Sequence, residues 1–585
     1  MLYFSHRWLK RSKDWRSNPW NGHSTPLEHW TDALDFVVEQ GDIKWIWEPS
    51  RFDWAYTLGR AWFLSGDERH AEVFWSLLED WARHNPPNSG INWKCGQECA
   101  LRMMALVWSV PVFGDARAST PARARLLWRI VTALAQRIEP AIGYAVAQFN
   151  NHSLSEALGL FVAGASLSNH PRSQKWLRKG RRIFEQHAVR QFASDGSYTQ
   201  NSMNYERLAL KLGVLYALVC KSVGQSASDT VTERLKSAAY FLRNLMDNAT
   251  GYVPNYGAND GANLMALSSC EYRDFRPVLQ LAGVALMGRR FFSKGLWDEE
   301  SAWLCGKKIG DYPLERTAGE PMRALSGGYY CLRQNQDMGF IRCHTHKSRP
   351  GHADMLHLDL WRNGVNLLCD SGTYQYYDLQ RNWGDYFSST VAHNTLTVDR
   401  ADQMTRLGKF LWGSWTRSRV IPYDSFESPM AGIICEHDGY IKRYDVRYRR
   451  AVLVCGGEWV IIDDAIFTRK ASHTVTLTWH LDAGWEPDAT SRIVHYHEAG
   501  ATLFVLSDGA DWEFLTGAEH YPETLCSRYY GDVSESPVLK LSKKVDCSYR
   551  FVTLVAHDRK TQIDNGRLHW HGLKIPIGFS RQMWS

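Results

Sequence analysis

Asn151 and His152 end a polar triplet in Gln148-Phe149-Asn150-Asn151-His152-Ser153-Leu154-Ser155-Glu156, directly before an apolar run from Leu154 to Val162. Ser153 and Glu156 have the spacing of a capping box, which predicts a helix starting at Ser153. That start would put the Asn151 amide and the His152 imidazole at a helix N-terminus, where free backbone N–H groups and the dipole favour an anion such as a carboxylate. Two further segments carry side chains able to move protons or hold a cation: Asn204-Tyr205-Glu206-Arg207 and Gly351-His352-Ala353-Asp354. Each has a plainer reading by itself. The triplet could be a polar loop capping a helix, Tyr205 a tyrosine on a core-facing helix, and His352 a histidine that hydrogen-bonds ahead of a strand.

The elements that must position these residues change character once along the chain. Up to about residue 305 the apolar spacing is helical. Runs occur at Arg60 to Leu64, Ala71 to Trp81, Glu98 to Val112, Ala122 to Arg137, Leu154 to Leu167, Trp176 to Phe192, Tyr205 to Val223 and Val231 to Met246. Gly, Pro, Asn or Asp separates them. Amphipathic helices in succession, with few strand signals, suggest helical hairpins in a solenoid or ring. After about residue 325 the texture is β. Leu356 to Trp361 and Val365 to Asp370 flank the hairpin signal Arg362-Asn363-Gly364. Short strands continue at Thr395 to Val398, Ala451 to Val454, Trp459 to Ile462, His473 to His480 and Tyr549 to Val555, as in an antiparallel sandwich. Gly306, Gly310, Pro313, Gly319 and Pro321 accumulate between the two halves. The expected class is α+β, with a helical domain over 1–310, a β domain over 325–585 and a linker at about 305–325.

Composition narrows the function classes. A chain of 585 residues is too long for one ordinary core. Its 68 Lys and Arg against 62 Asp and Glu leave a net charge of +6, mild enough to suit a polyanion. No dense basic run marks a nucleic-acid arm. The 26 Trp and 26 Tyr supply flat amphipathic rings for large cores and for sugar faces. Twelve cysteines occur without a C-x-x-C pair, which reads as buried free thiols of a reducing compartment. The start, Met1 to Arg7, lacks the apolar region and cleavage site of an export signal, and no apolar stretch is long enough to cross a bilayer. The cytoplasm is the default expectation, with the periplasm open if a signal has been removed. Oligomeric state is not legible.

The motifs in their order resemble the heparinase II/III family of polysaccharide lyases and the related alginate lyases. In the helical half the resemblance rests on Gly41 to Glu48, Gly90-Ile91-Asn92-Trp93, Asn150-Asn151-His152 and Asn204-Tyr205-Glu206-Arg207. In the β half it rests on Gly351 to Asp354, Asp370-Ser371-Gly372-Thr373-Tyr374 and Ser389 to Thr395. It implies an incomplete (α/α) toroid followed by a multilayered antiparallel β-sandwich domain, with the cleft between them. The implied activity is β-elimination of a uronic-acid-containing polysaccharide, an acidic partner in keeping with the charge.

Such a lyase must neutralise the sugar carboxylate, remove the C5 proton and protonate the departing C4 oxygen. By the resemblance Asn151 and His152 neutralise the carboxylate, and Tyr205 acts as acid, and also as base in a syn elimination. A phenol of pKa near 10 is a reluctant base, so a cation such as Arg207 beside Tyr205 would favour the phenolate. The resemblance further implies a structural Zn²⁺ on His352, Asp370 and His393, and no organic cofactor. Separations of 18 and 23 residues are too wide to signal a metal site by themselves.

Arg349, Glu48 with Trp47 and Arg51, and Tyr374 and Tyr376 are further expected substrate contacts, the two tyrosines sharing one strand face. Many relatives carry His-x-His where this chain has Pro350-Gly351-His352. Arg349 or another residue must take over there, or the substrate stereochemistry differs, or activity is lost. His357, five residues on, would point to the opposite strand face. Asn259-Asp260-Gly261-Ala262-Asn263 resembles another loop of the family that could line the cleft, and reads more simply as a turn between helices.

Two other classes compete. A toroid-based glycoside hydrolase would need opposed carboxylates, with Glu48, Asp195 and Asp260 as conceivable members. A glycan-binding relative in surface-polysaccharide assembly would keep the fold without turnover. A double-bond product separates the first alternative from a lyase, and binding without product identifies the second.

Overall fold

Eleven α-helices precede the first strand among the described residues of the computed structural model, which are 14–580 except 35–40, 307, 316–318, 379–380, 382, 423–429, 489–490, 508 and 558–561. The segment read for an export signal lies outside them. The helices are α1 (Lys44–Ser50), α2 (Asp53–Ser65), α3 (Glu68–His84), α4 (Gly96–Phe113), α5 (Pro121–Gln148), α6 (Asn151–Ser166), α7 (Ser173–Gln191), α8 (Met203–Ser222), α9 (Asp229–Leu245), α10 (Arg276–Ala282) and α11 (Asp298–Cys305). None is long and apolar enough to cross a membrane.

Helix α6 is the hub. It packs against α4, α5, α7 and α8, so Asn151 and every residue from Ser153 to Gly164 are buried. That explains why the run Leu154-Ser155-Glu156-Ala157-Leu158-Gly159-Leu160-Phe161-Val162 is apolar on nearly all sides rather than on one stripe. Leu154, Leu158, Leu160 and Phe161 are essentially inaccessible, each burial worth roughly 1.5–3 kcal/mol. The α6–α7 approach needs a glycine: a Cβ on Gly180 would lie 2.6 Å from the Ala157 carbonyl oxygen. The end of α6 that carries Asn151 and His152 is therefore anchored by its own core.

Strands begin at Met322 with a five-stranded antiparallel sheet in chain order, β1 (Met322–Ala324), β2 (Tyr329–Gln334), β3 (Asp337–Arg342), β4 (Leu358–Arg362) and β5 (Val365–Leu368). The β4–β5 turn falls on the expected dipeptide, with Asn363 at φ 49° and Gly364 at φ 85°. This sheet is the wall between the halves. Tyr329, Cys331, Met338, Phe340 and Trp361 join the helical core, while Tyr330, Leu332, Ile341, Leu358 and Leu360 join the β core. Its strands are thus buried on both faces, which removes the polar alternation of a surface strand.

An eight-stranded antiparallel sheet lies beyond it, with Tyr549–Ala556, Glu458–Phe467 and Val446–Cys455 at its centre. One face contributes Val452, Val454, Trp459 and Ile461 to the core shared with the five-stranded sheet. The other face packs Leu453, Val460 and Val552 against Leu568, Trp570 and Ile575 of a small three-stranded sheet. A four-stranded sheet containing Leu396–Val398 and His473–His480 completes the layers. Helices on one side and stacked antiparallel sheets on the other make the chain an α+β protein.

Polar contacts cross the seam. Arg342, fully buried on β3, donates from Nε to Tyr256 Oη at 2.8 Å and from Nη2 to Asn201 Oδ1 at 2.7 Å. The Ser326 amide donates to Asp195 Oδ2 at 2.6 Å.

Candidate functional site

Helix α6 begins at Asn151, two residues before the capping-box expectation. Phe149 closes α5 in the left-handed conformation (φ 53°), and Asn150 is the cap, its side chain accepting from the His152 amide at 3.1 Å. Ser153 donates instead to the Asn150 carbonyl at 2.9 Å. Glu156 does not reach back, because α4 covers it: a Cβ on Gly96 would lie 2.4 Å from its carboxyl carbon. Burial pushes its pKa up to about 8, against the pull of Arg137. The Asn151 amide is also taken, by Gln200 Oε1 at 2.8 Å. The anion site expected from free backbone N–H groups is therefore corrected, since those of Asn151 and His152 are satisfied within the protein.

What faces the space between the halves is side chains. A cavity of about 430 Å³ is lined by Asn151, His152 and Tyr205 from the helical side, and by Arg349, Pro350 and Tyr376 from the other. Lys347, Gln200, Phe149 and Phe410 complete much of its wall, and no Asp or Glu lines it among the described residues. Lys347 and Arg349 are exposed, so the entrance carries two cations without a facing carboxylate.

Asn151 is almost wholly buried and donates from Nδ2 to Gln97 Oε1 at 2.6 Å. Gln97 also accepts from Ser155 Oγ at 3.0 Å, so its carbonyl end is fixed and the Asn151 amide is oriented in turn. Burial depresses the His152 pKa to about 4, although Glu98 and Asp260 pull the other way. The imidazole is neutral near pH 7.

Tyr205 lies in the first turn of α8, where Ser202 Oγ accepts its amide hydrogen at 3.2 Å. Its hydroxyl is 2.8 Å from the Tyr376 hydroxyl. Burial raises its pKa well above 10 and the Asp260 carboxylate adds to this, while the Tyr376 hydrogen bond and Arg51 oppose it. Arg207 does not help. Two positions along a helix turn to a different face, and the Arg207 guanidinium stacks on Tyr272 and Phe275 at 4.3 and 4.5 Å, away from the cleft. The expectation that Arg207 favours the phenolate or touches substrate is corrected.

Glu48 is corrected likewise. It belongs to a buried network rather than a sugar-binding wall: Lys44 Nζ lies 2.6 Å from Glu48 and 3.6 Å from Asp260, and Arg51 pairs with Glu48 and, through two 2.7 Å bonds, with Glu98. Trp47 donates to the Ile91 carbonyl at 3.0 Å. Asp260, read as part of a turn, is instead a buried carboxylate. Burial works against its charge, but Lys44 and Arg51 hold its pKa below the usual range. Asn204 donates to it at 2.8 Å. No local spacing could have joined Gln97 to Asn151 or Asp260 to Lys44, because these pairs meet only through tertiary packing, Asp260 from a loop between helices.

Tyr374 and Tyr376 do not share a strand face. Tyr374 has φ 60°, which breaks the alternation, and it packs with Phe387, Leu525 and Trp383. Only Tyr376 reaches the cavity. Leu356, at φ 63°, similarly breaks the run from His352 to His357. His357 is consequently fully buried beside Asp370 and His393, not on an opposite face.

The histidines and carboxylates near β4 form a second cluster. Two three-residue groups bring ligand atoms within 4.8 Å of one another: His352, Asp354 and His393, and His357, Asp370 and His393. The expected trio of His352, Asp370 and His393 is thus divided between two overlapping groups, because Asp370 Oδ2 is 3.0 Å from His393 Nδ1. His352 Nδ1, Asp354 Oδ1 and His393 Nε2 are buried without hydrogen-bond partners, one orphaned atom on each residue of the first group. This donor set fits a divalent cation such as zinc, with Asp370 orienting His393.

Of the carboxylates conceivable for a hydrolase, Asp195 is bound to Ser197 and Ser326, and Glu48 and Asp260 are tied to Lys44. None lines the cavity.

Both halves of the chain match known families. Residues 4–256 match the family described as Heparinase II/III N-terminus, and residues 317–550 match Heparinase II/III-like, C-terminal. The heparin-sulfate lyase of Bacteroides thetaiotaomicron is 21% identical over 571 residues, covering 89% of this chain and 75% of that protein. That of Pedobacter heparinus is 22% identical over 507 residues, covering 82% and 69%. A crystal structure of heparinase III superposes with a TM-score of 0.69 at 16% identity, covering 94% of this chain and 84% of the other.

Proposed function

The chain belongs to the heparinase II/III family of polysaccharide lyases, and from that premise we propose that it cleaves a uronate-containing polysaccharide by β-elimination in the cavity between its two halves. The observation that carries this reading is the meeting of Asn151, His152 and Tyr205 in one cavity that has cations at its entrance and, among the described residues, no lining carboxylate. A hydrolase would need the opposite, two carboxylates across the bond. The heparin-sulfate lyases among its relatives make glycosaminoglycan-like uronates the first polymers to test.

In this mechanism the Asn151 amide, pinned by Gln97, and the His152 imidazole donate to the uronate carboxylate. They stabilise the charge that spreads onto it as the C5 proton leaves. An arriving carboxylate favours the charged form of His152, so the neutral imidazole of the empty cavity gains a proton more readily once substrate is bound. The C5–H electron pair forms the C4=C5 double bond and the C4–O bond breaks. Tyr205 gives its proton to the departing C4 oxygen, a role suited to a phenol that burial keeps protonated. In a syn elimination the proton Tyr205 gives is the one taken from C5: its phenolate, stabilised by the Tyr376 hydroxyl, accepts the C5 proton and passes it to the C4 oxygen, which restores the phenolate. Lys347 and Arg349 draw neighbouring acidic groups into the cleft.

His352, Asp354 and His393 would hold a divalent cation whose chemistry is structural, bracing the loop from 351 to 357 that ends beside the cavity. The reading is tested by ultraviolet absorbance of reactions with alginate, heparan sulfate, hyaluronan, polyglucuronate and a bacterial capsule. New double-bond absorbance lost in Tyr205→Phe supports it; reducing ends without that absorbance overturn it.

A further inference from the structure

A second cluster of positive charge lies outside the cavity. Arg207 from α8, Arg273 from the loop before α10, and Arg528 from the strand Leu525–Tyr529 line a pocket of about 30 Å³ with Asn255, Asn259 and Tyr272. It spans the seam between the helical and β halves. No carboxylate lines it among the described residues. Arg528 has one counter-ion among the described residues, Asp482, at 2.9 Å. Arg273 stacks 4.3 Å over the Tyr252 ring and forms no ion pair among the described residues, and the positive charge of Arg528 acts on it unfavourably. Arg207, only 3% exposed, donates to the carbonyls of Tyr272 and Ala262 and to Asn204 Oδ1, while its Nε has no partner. Holding like charges together with so little compensation is costly unless an anion joins them.

We propose that this pocket binds a small tetrahedral oxyanion, sulfate or phosphate, between Arg273, Arg528 and Arg207. The space exceeds the 10–15 Å³ or so that one water needs, and guanidinium forks match oxyanion geometry. Arg528 keeps about a third of its side chain exposed, which leaves a way in. The anion is either free in solution or a sulfate group of a sugar. The site is not isolated from the cleft. The Tyr272 hydroxyl lies 2.7 Å from both Asn204 Oδ1 and Asn259 Oδ1, which share its one hydrogen, and Asn204 holds Asp260 beside Tyr205. An occupant would brace that chain of contacts and tie the two halves of the protein together.

The test is thermal unfolding of the full chain against sodium sulfate, with ionic strength held constant by sodium chloride. Saturable stabilisation is expected. Arg273→Gln should raise the half-saturating sulfate concentration about tenfold or more, the scale of one charge-assisted hydrogen bond, while Arg349→Gln at the cleft should leave the curve in place. Should Arg273→Gln fail to fold, Arg273→Lys keeps the charge without the fork and should weaken binding less. A repeat with a monosaccharide 6-sulfate separates the two sources, since a pocket for free anions alone gives no saturation there. A non-saturating rise equal in all variants overturns the proposal. So does saturation that Arg349→Gln removes and Arg273→Gln does not, which would place the anion in the cleft.

Discussion

The hydroxyl of Tyr205, in the first turn of α8, lies 2.8 Å from the hydroxyl of Tyr376, 171 residues further along the chain. One residue comes from the helical half and the other from the β half, so the proposed proton-carrying pair exists only when the halves are docked. Either oxygen can be the donor. Tyr205→Phe is expected to lower lyase turnover ~10²–10⁴-fold, the range for loss of a general acid, whereas Tyr376→Phe removes only a hydrogen bond to it and should cost ~10-fold. Rates of double-bond formation with both variants decide this; equal losses would show that Tyr376 carries the proton itself.

Gln97 does not line the cavity but sets the direction of the Asn151 amide through the 2.6 Å bond. Gln97→Leu should reduce kcat by ~10–100-fold, as expected when a reacting group is misplaced, with a smaller change in KM. Gln97→Glu retains the acceptor and should recover part of the loss. A Gln97→Leu enzyme with unchanged kcat would remove Gln97 from the site.

Glu156 predicts a pH effect of definite sign. Its pKa, about 8 in the folded chain, stands above the ordinary carboxyl value near 4.5. The unfolded chain therefore releases this proton at lower pH than the folded one. Its contribution to stability is full below about pH 4.5 and is lost as pH rises through about 8. Glu156→Gln, nearly the same shape, should be more stable than the parent at pH 8 and show a flatter decline above neutrality. Denaturant midpoints at pH 6, 7 and 8.5 compare the two; parallel curves would mean that the carboxyl is already solvated.

Metal removal tests the cluster near β4. Atomic absorption on protein expressed with zinc should find about one ion per chain, and His393→Ala, which removes the residue common to both groups, should abolish it. Asp354→Asn should lose more metal than Asp370→Asn if the orphaned atoms mark the ligands. Chelation should lower the melting temperature by several degrees, because bound ion stabilises only the folded state. The reverse order of the two aspartate variants would move the ion to the His357 group.

The two-part architecture was legible because periodicity is a local property. Each predicted helical run from Arg60 to Met246 overlaps an observed helix, and the Asn363-Gly364 turn joins β4 to β5. Helix ends were less legible. Ser153 and Glu156 have capping spacing, yet Asn150 is the cap, because burial against Gly96 removes Glu156 from the helix end. Face assignments failed where φ turns positive, at Leu356 and Tyr374, since one left-handed residue cancels the alternation of a strand.

The sequence by itself determined that an apolar helix carries Asn151 and His152 at its start, that Tyr205 opens another helix, and that a β half follows. Residue type and local period suffice for those. Only the tertiary structure decided that Gln97 holds Asn151, that Tyr376 meets Tyr205, that Asp260 is a buried carboxylate held by Lys44, and that Arg207 and Glu48 stand outside the cavity. Those contacts join residues tens to hundreds of positions apart. They arise from how helices and sheets pack, where the cost of burying charge selects partners that no local spacing records.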